Sequence, residues 1–293
     1  MKRVSVMVSF CLIAFAAIFT LSGKADNVPK DENLVALFAD LHITAEANPV
    51  HQRAGLSQCI QDVLACNPRP ANVLLYGDIS FNHGATNDYR QLRELIKPLE
   101  DAGIRWTACF GNHDRREAFF NVFPDRKSEA PLVPARLVIL IKTPNADFIM
   151  LDSCLEGPVN GGIDDAQRAW LQKTLAEYKK PVFVGAHHPI RETGVADLMV
   201  SNAACAGYIY GHNHTWKQES TNGVATLCLP STGHWGDIGY VLVKMTTEGA
   251  VFTLYQRDYY TPRPAAKPED VKPEWKQRVQ KNNGNEWHVT FKR

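Results

Sequence analysis

Metal-binding types of side chain recur directly after short apolar segments of this sequence. Five segments lead into them, as Asp40-Leu41-His42, Gly77-Asp78, Gly111-Asn112-His113-Asp114, His187-His188-Pro189 and Gly211-His212-Asn213-His214. Carboxylate, amide and imidazole groups without cysteine suit Mn, Fe, Zn or Co rather than Ca. The pattern therefore predicts a metal centre built from several separate parts of the chain.

The spacing within the motifs also suits metal binding. In Asp-x-His and His-x-His, two ligands lie on the same side of an extended segment, because side chains two apart point the same way. A carboxylate shared between two ions would hold them roughly 3.5–4 Å apart, the arrangement used for in-line attack at phosphorus. The spacing of these motifs therefore suits a pair of metal ions.

Each motif alone has an ordinary interpretation. Asp40 and Asp78 are typical turn residues, and Gly111-Asn112 is a common turn dipeptide. A single histidine at a strand end is more often solvated or hydrogen-bonded than a ligand. Independent turns do not account for five such motifs in one chain, so the joint pattern favours a shared site.

The elements that must position these residues alternate along the first half of the chain. Apolar strands at 34–39, 73–76 and 106–110 are separated by helices at 49–66 and 89–99. This order predicts a mostly parallel sheet with right-handed crossovers. Since the carboxyl ends of parallel strands share one edge, we expect the motifs to meet in one cleft.

The second half reads as a mixture of hairpins and strands. We predict a hairpin of 136–141 with 147–151, a helix at 164–178, strands at 181–185 and 206–210, and antiparallel strands at 224–229, 240–245 and 251–255. The whole predicts a four-layer αββα sandwich of two mixed sheets flanked by helices, over residues 26–260. Residues 261–293, rich in Pro, Lys and Asn, predict an extended or disordered surface tail.

Residues 1–25 are typical of a signal peptide. Lys2 and Arg3 precede the apolar run 4–21, and Gly23-Lys24-Ala25 offers small residues for cleavage near Ala25. The alternative is an uncleaved membrane anchor, because the run is near the length that spans a bilayer. We therefore expect an exported chain, either periplasmic or secreted, or anchored at its N-terminus.

Charge and cysteine content indicate which partners and disulfides to expect. Without residues 1–25 the chain carries 29 basic and 31 acidic side chains and no basic block, so no nucleic-acid partner is expected. Six cysteines follow the signal segment, widely scattered and without CxxC spacing. Export permits disulfides, but buried small apolar roles are expected for most of them. The expected partner is a small phosphoester, and nothing in the sequence points to an oligomeric state.

Taken in order, the five motifs resemble those of the calcineurin-like metallophosphoesterase superfamily, over about residues 34–245. The stretch Leu151-Asp152-Ser153, with Gln167, Trp170-Leu171 and His187-His188-Pro189, is most similar to the class III cyclic nucleotide phosphodiesterase branch. The resemblance implies the αββα fold and two divalent or mixed-valence ions, drawn from Mn, Fe, Zn or Co.

The resemblance also implies roles for single residues. One ion would be held by Asp40, His42, Asp78 and His214, and the other by Asp78, Asn112, His187 and His212. A water or hydroxide on the metals would attack phosphorus. His113 would protonate the leaving oxygen or stabilise its charge, and Asp114 would orient the ring of His113.

Departures from the family pattern bear on specificity. Phe81 stands where purple acid phosphatases place a metal-binding tyrosine, which disfavours a purple enzyme. Candidate substrate contacts are Asn82, His83, Arg115, His188 and His234. We expect a phosphodiesterase; the alternatives are a broad phosphomonoesterase acting on nucleotides or sugar phosphates, and an inactive metal-dependent binding protein.

Overall fold

The computed structural model describes residues 28–46, 51–81, 83–260 and 273–292. The predicted signal peptide, candidate residue Asn82 and the first part of the predicted tail, 261–272, lie outside the described residues.

Twelve strands and seven helices make up the described part of the chain. The strands are β1 (Lys30–Phe38), β2 (Arg69–Tyr76), β3 (Arg105–Cys109), β4 (Ile139–Ile141), β5 (Asp147–Met150), β6 (Val182–Gly185), β7 (Cys205–Tyr210), β8 (Lys217–Thr221), β9 (Val224–Cys228), β10 (Gly236–Met245), β11 (Gly249–Tyr260) and β12 (Glu286–Thr290). The helices are α1 (His51–Ala65), α2 (Thr86–Asp101), α3 (Arg116–Val122), α4 (Asp165–Glu177), α5 (Ile190–Thr193), α6 (Ala196–Val200) and α7 (Pro273–Asn282).

The strands form two six-stranded sheets. The first has the order β12-β11-β10-β1-β2-β3, with β1, β2 and β3 parallel and the other pairs antiparallel. The second has the order β4-β5-β6-β7-β9-β8, with β5, β6, β7 and β9 parallel. Both sheets are mixed, as the sequence predicted.

Apolar side chains fill the three spaces between four layers. One cluster packs α1, α2 and α3 on the first sheet, with Leu92, Ile96 and Leu99 at helical spacing on the buried face of α2. A second cluster, including Phe183 and Phe252, lies between the sheets. A third packs α4, α5 and α6 on the second sheet. The predicted αββα sandwich is confirmed. Strands buried on both faces explain the continuous apolar runs in the sequence.

Two expectations about the C-terminal half were wrong. The strand at 224–229 does not join an antiparallel group with 240–245, because β9 lies in the second sheet and pairs with β7 and β8. The predicted tail instead contains α7 and β12, and β12 is the edge strand of the first sheet, paired with β11.

The C-terminal segment docks because it carries apolar side chains. Trp287 and Phe291 are buried in the cluster between the sheets, which stabilises the docked segment by about 2 kcal/mol for each side chain. The alternation of polar and apolar residues over 286–290 is the signal of a strand, and composition alone obscured it.

All six cysteines after the signal segment are free thiols, and four of them, Cys59, Cys109, Cys154 and Cys228, are buried. This agrees with the expected small apolar roles. Within the described ranges, every helix is too short or too polar to cross a bilayer.

Candidate metal centre

The five motifs meet at one edge of the sandwich, but they come from both sheets. Those after β1, β2 and β3 belong to the first sheet, and those after β6 and β7 to the second. Backbone hydrogen bonds join the loops: Asp40 N donates to Gly77 O at 3.1 Å, and His42 N to Asp78 O at 2.8 Å. Gly211 N donates to the carbonyl of His187 at 3.0 Å. Across the two sheets, His212 N donates to Asp40 Oδ1 at 3.0 Å, so the site lies between the sheets.

The backbone at the candidate ligands is strained. Five of them have positive φ angles although they are not glycine: Asp40 (51°), His42 (46°), Asp78 (47°), His212 (67°) and His214 (51°). This left-handed region costs a side-chain-bearing residue about 1 kcal/mol or more. Such strain persists where the surrounding structure imposes it, and its concentration here marks a functional site.

The first cluster consists of Asp40, His42, Asp78 and His214, and all four are at most 3% exposed. The Nε2 atoms of His42 and His214 are 3.3 Å apart. His214 Nε2 is 3.2 Å from Asp40 Oδ1, and His42 Nε2 is 3.7 Å from Asp78 Oδ2. Four possible ligand atoms thus surround one point.

The second cluster lies beside the first and shares Asp78 with it. His187 Nε2 is 3.2 Å from Asp78 Oδ2. His212 Nδ1 is 3.3 Å from His187 Nε2 and 3.1 Å from Asn112 Oδ1. Because Oδ2 of Asp78 faces a histidine of each cluster, it is placed as a carboxylate common to both.

The histidine tautomers suit metal binding. Nδ1 of His187 bonds to Tyr76 O at 2.8 Å, and Nδ1 of His214 to Trp235 O at 3.1 Å. A carbonyl oxygen can only accept, so each Nδ1 carries a hydrogen and each Nε2 is the ring atom that faces the cluster and can bind a cation. Asp40 Oδ2 is buried without a hydrogen-bond partner. An unpaired carboxylate oxygen beside these facing nitrogens fits a bound cation, which would satisfy all of them.

The pKa shifts within the centre also favour a bound cation. Burial alone would raise the pKa of Asp78, but the charge and hydrogen bond of His187 hold that pKa well below its usual range. Burial alone would lower the pKa of His187, whereas the neighbouring Asp78 charge raises it to about 9. Burial and the neighbouring histidines lower the pKa of His42 and of His212. A proton therefore occupies the Asp78–His187 contact, in a place where a metal cation could replace it.

His113 lies beside the first cluster without joining it. Its ring centroid is 4.8 Å from that of His42, and its backbone N donates to Asp78 Oδ1 at 2.9 Å. Nδ1 bonds to the carbonyl of Phe81 at 2.6 Å, so Nδ1 carries the hydrogen. Nε2 is left as the ring atom that can exchange a proton with a substrate.

The predicted role of Asp114 was wrong. Its buried carboxylate does not bond to the ring of His113; it accepts from the amides of Ile79, Ser80 and Gly111 and from Tyr89 Oη. Burial and the charge of Asp78, partly offset by those amides, raise the pKa of Asp114 to about 6. Asp114 holds the turn after β3 against the loop after β2, while the Phe81 carbonyl orients His113.

Two of the candidate substrate contacts, His188 and His234, differ in their surroundings. His188 is buried, with Nδ1 2.8 Å from Ser153 Oγ and Nε2 3.1 Å from Val159 O, and burial with the charges of His187 and His212 lowers its pKa to about 2. A neutral ring bonded on both sides is a packing residue. His234 lies at the site, with its ring 4.2 Å from that of His42.

Of the remaining two candidates, Arg115 lies after β3 and His83 in the loop between β2 and α2. Arg115 donates to the carbonyls of Asn112 and Asp114, at 3.3 and 2.7 Å. It therefore braces the segment that carries Asn112 and His113. His83 is exposed.

Sequence reasoning missed the groups that orient the ligands. The carbonyls of Tyr76, Phe81 and Trp235 hold three imidazoles, and a backbone carbonyl has no signature in the sequence. It also missed Asp237, a buried carboxylate next to the backbone of His214. Its isolated position at the start of β10 offered no motif.

The fold is that of an αββα protein, and its two adjoining clusters of side chains could hold metal ions. The calcineurin-like phosphoesterase family model matches residues 34–216, and the chain belongs to this family. A probable glycerophosphodiester phosphodiesterase of Arcobacter nitrofigilis is 28% identical over 174 residues, 58% of this chain and 62% of the relative. A probable cyclic nucleotide phosphodiesterase of a Psychrobacter species is 24% identical, over 63% of this chain and 58% of the relative.

Solved structures share the fold. A dimetal phosphatase from Danio rerio superposes with a TM-score of 0.65 at 13% identity, covering 88% of this chain and 99% of that one. A purple acid phosphatase from yellow lupin gives 0.54 at 15% identity, covering 76% and 51%. At such identities the likeness concerns the fold alone. The chain spans about three fifths of the length of the curated relatives that it matches.

Proposed function

We propose that this protein hydrolyses phosphoesters, diesters in preference to monoesters, at a centre of two divalent cations. The observation that carries the proposal is the position of Asp78, whose Oδ2 lies 3.7 Å from His42 Nε2 and 3.2 Å from His187 Nε2. One carboxylate between two sets of ligands is the arrangement of two-metal phosphoesterases. The names of the two relatives support the preference for diesters.

The contacts support the ligand sets that the family resemblance implies. Asp40, His42, Asp78 and His214 would hold one ion, and Asp78, Asn112, His187 and His212 the other. Mixed oxygen and nitrogen donors favour Mn, Fe, Zn or Co. Bound there, the two ions would polarise the phosphoryl oxygens and make a water molecule acidic enough to attack at neutral pH.

His113 would act as the general acid that protonates the leaving group. Because Nδ1 donates to the Phe81 carbonyl, a protonated ring presents Nε2–H as its second donor. From that atom His113 would donate to the leaving oxygen as its bond to phosphorus breaks. Its backbone N donates a hydrogen bond to Asp78 Oδ1, which fixes the position of His113 relative to the carboxylate shared by the clusters.

Asp114 and Arg115 would keep this geometry without touching substrate. Asp114 receives three amide hydrogen bonds that join the loops after β2 and β3. Arg115 ties together two carbonyls of the turn that carries Asn112 and His113. Preorganised loops of this kind let the site meet its transition state without reorganisation.

The test uses the whole protein stripped of metal by a chelator and then supplied with Mn, Zn or Co. Expected is the return of hydrolysis of bis(p-nitrophenyl) phosphate, with a higher kcat/KM than for p-nitrophenyl phosphate. A reversed order would make the protein a phosphomonoesterase, with nucleotides or sugar phosphates as substrates. Uptake of two ions without turnover of either ester would make it a metal-dependent binding protein.

We propose further that the chain is exported, because residues 1–25 combine a basic start, an apolar run and small residues. N-terminal sequencing of the protein recovered from the periplasm or medium checks this. Expected is a start close to Asp26. Recovery of the full-length chain in the membrane fraction would favour the uncleaved anchor.

A further inference from the structure

The loop that carries His214 is held by three consecutive residues at the start of β10. Trp235 stacks on the ring of His214 with centroids 4.1 Å apart, and its carbonyl accepts from Nδ1. Gly236 passes so close that a Cβ there would lie 2.0 Å from His214 O. Asp237 N donates to that same oxygen at 2.9 Å. Ring, backbone and tautomer of this candidate ligand thus depend on residues 235–237.

The side chain of Asp237 also holds the residues after His214 by hydrogen bonds. Its carboxylate is 0% exposed and accepts from Thr215 Oγ1 and from Trp216 N, each at 2.9 Å. It also accepts from Gln256 Nε2 at 2.9 Å. The turn that follows the ligand is therefore fixed to a buried negative charge.

The cation that balances this charge comes from the C-terminal helix. Arg278 of α7 bonds to Asp237 with two nitrogens, Nε at 2.6 Å and Nη2 at 2.8 Å. The same Nη2 lies 3.4 Å from Thr215 Oγ1. A bidentate guanidinium suits a buried carboxylate, which is strongly unfavourable when left unpaired. Helix α7 lies well beyond residues 34–216, so this contact is an addition to the part matched by the family model.

We propose that Arg278 is a positioning residue for the metal ligand His214, acting through Asp237, so that docking of the C-terminal helix sets the affinity of the first cation site. The proposal rests on the proposed function, since it assumes that His214 binds a cation. Without the guanidinium, the buried carboxylate of Asp237 loses its charged partner and turns away from its place. This change loosens Thr215 and Trp216 and lets His214 move from its position opposite His42.

The expected effect is moderate and confined to one ion. Groups that orient a ligand from behind are worth about 10- to 100-fold in metal affinity. Since Arg278 acts through one intermediate side chain, we expect the lower part of this range, about 10-fold. The second cluster makes no contact with residues 235–237 in the described hydrogen bonds and should keep its affinity.

The experiment titrates Mn into the metal-free protein by calorimetry, comparing wild type with Arg278→Met, Arg278→Lys and a matched control. The control is Arg257→Met. Like Arg278, Arg257 is 42% exposed and pairs with an aspartate, in its case Asp62. Neither member of this pair contacts His214 or Asp237 in the described contacts. Expected are two ions in wild type, one of them bound about 10-fold more weakly in Arg278→Met, and wild-type binding in the control. Arg278→Lys should recover part of the lost affinity, because lysine restores the positive charge but cannot form the bidentate contact of a guanidinium.

In Arg278→Met the loss of affinity should appear in the more tightly bound of the two ions, the one whose candidate ligands include His214. Unchanged binding of both ions in that variant, or an equal loss in Arg257→Met, overturns the role of Arg278. If Arg278→Met does not fold, Arg278→Lys and Thr215→Val carry the test in the same direction. A wild type that takes up no ion contradicts the proposed function itself, an outcome distinct from a failure confined to Arg278.

Discussion

The two candidate cation clusters share Asp78 but differ in how they are enclosed. In the first, Asp40, His42, Asp78 and His214 are at most 3% exposed. In the second, His187 is fully buried, but Asn112 and His212 are only half-buried. The first cluster is built into the sandwich, whereas the second opens toward solvent.

This difference assigns different tasks to the two positions. Ligands that are buried and held from behind lose little freedom when they bind an ion, so the first site should bind more tightly. Half-buried ligands leave room for a substrate oxygen to approach. We therefore expect the ion of the second cluster to exchange more readily and to be the one that faces the substrate.

The largest effect is expected from Asp78→Asn, which removes the one group that the clusters share. Because even groups behind a ligand are worth 10- to 100-fold in affinity, loss of a shared carboxylate should lower turnover by more than about 10³-fold. Elemental analysis should show fewer than two ions per chain. Asp101→Asn, at an exposed ion pair with Lys97, is the control and should behave as wild type. Retention of two ions and full activity in Asp78→Asn would remove the basis of the comparison.

Next in size is His113→Ala, which leaves both clusters intact. Loss of a proton donor should reduce kcat by about 10²- to 10³-fold on substrates with a poor leaving group. The effect should shrink with p-nitrophenolate, which needs no proton. Metal content should equal that of wild type. A variant that loses an ion, or one whose kcat does not change with any leaving group, contradicts the proposed role.

A smaller effect distinguishes the two sites directly. His212→Ala should keep one tightly bound ion while the affinity for the other falls about 10- to 100-fold, because His212 lies in the more open cluster. His42→Ala should instead weaken the tightly bound ion. Competition with a chelator of known affinity gives both constants. Equal losses of the same ion in both variants would show that the clusters do not act as separate sites.

The smallest effect is expected from His188→Gln, which tests the edge of the second cluster. His188 lies near His187 and His212, and one nitrogen of each of the three imidazoles lies within 4.8 Å of the other two, close enough to share an ion. Because its two nitrogens already bond to Ser153 and Val159, we expect unchanged metal content. The free energy of unfolding should fall by about 1–3 kcal/mol, measured by urea denaturation, since a buried partner is left unsatisfied. Loss of an ion would place His188 among the ligands.

The candidate ligands were within reach of the sequence because their signals are local. Asp40 and His42, or His212 and His214, stand two apart after an apolar strand, although the backbone at these residues is left-handed and not extended, contrary to what the spacing predicted. The layered fold was also predictable, since continuous apolar runs reflect strands covered on both sides. Errors arose where composition replaced pattern, as at Trp287 in the C-terminal segment, and where adjacency in sequence was taken for contact, as with Asp114 and His113.

Side-chain types, their order and the apolar runs before them determined by themselves that metal-binding residues gather at strand ends in a sandwich of this class. Tertiary structure alone decided that two sheets contribute them, that backbone carbonyls orient the imidazoles, and that Asp237 and Arg278 lie behind His214. The physical reason is that these relations depend on backbone carbonyls and on contacts between residues far apart in the chain. Neither leaves a pattern in the neighbouring sequence.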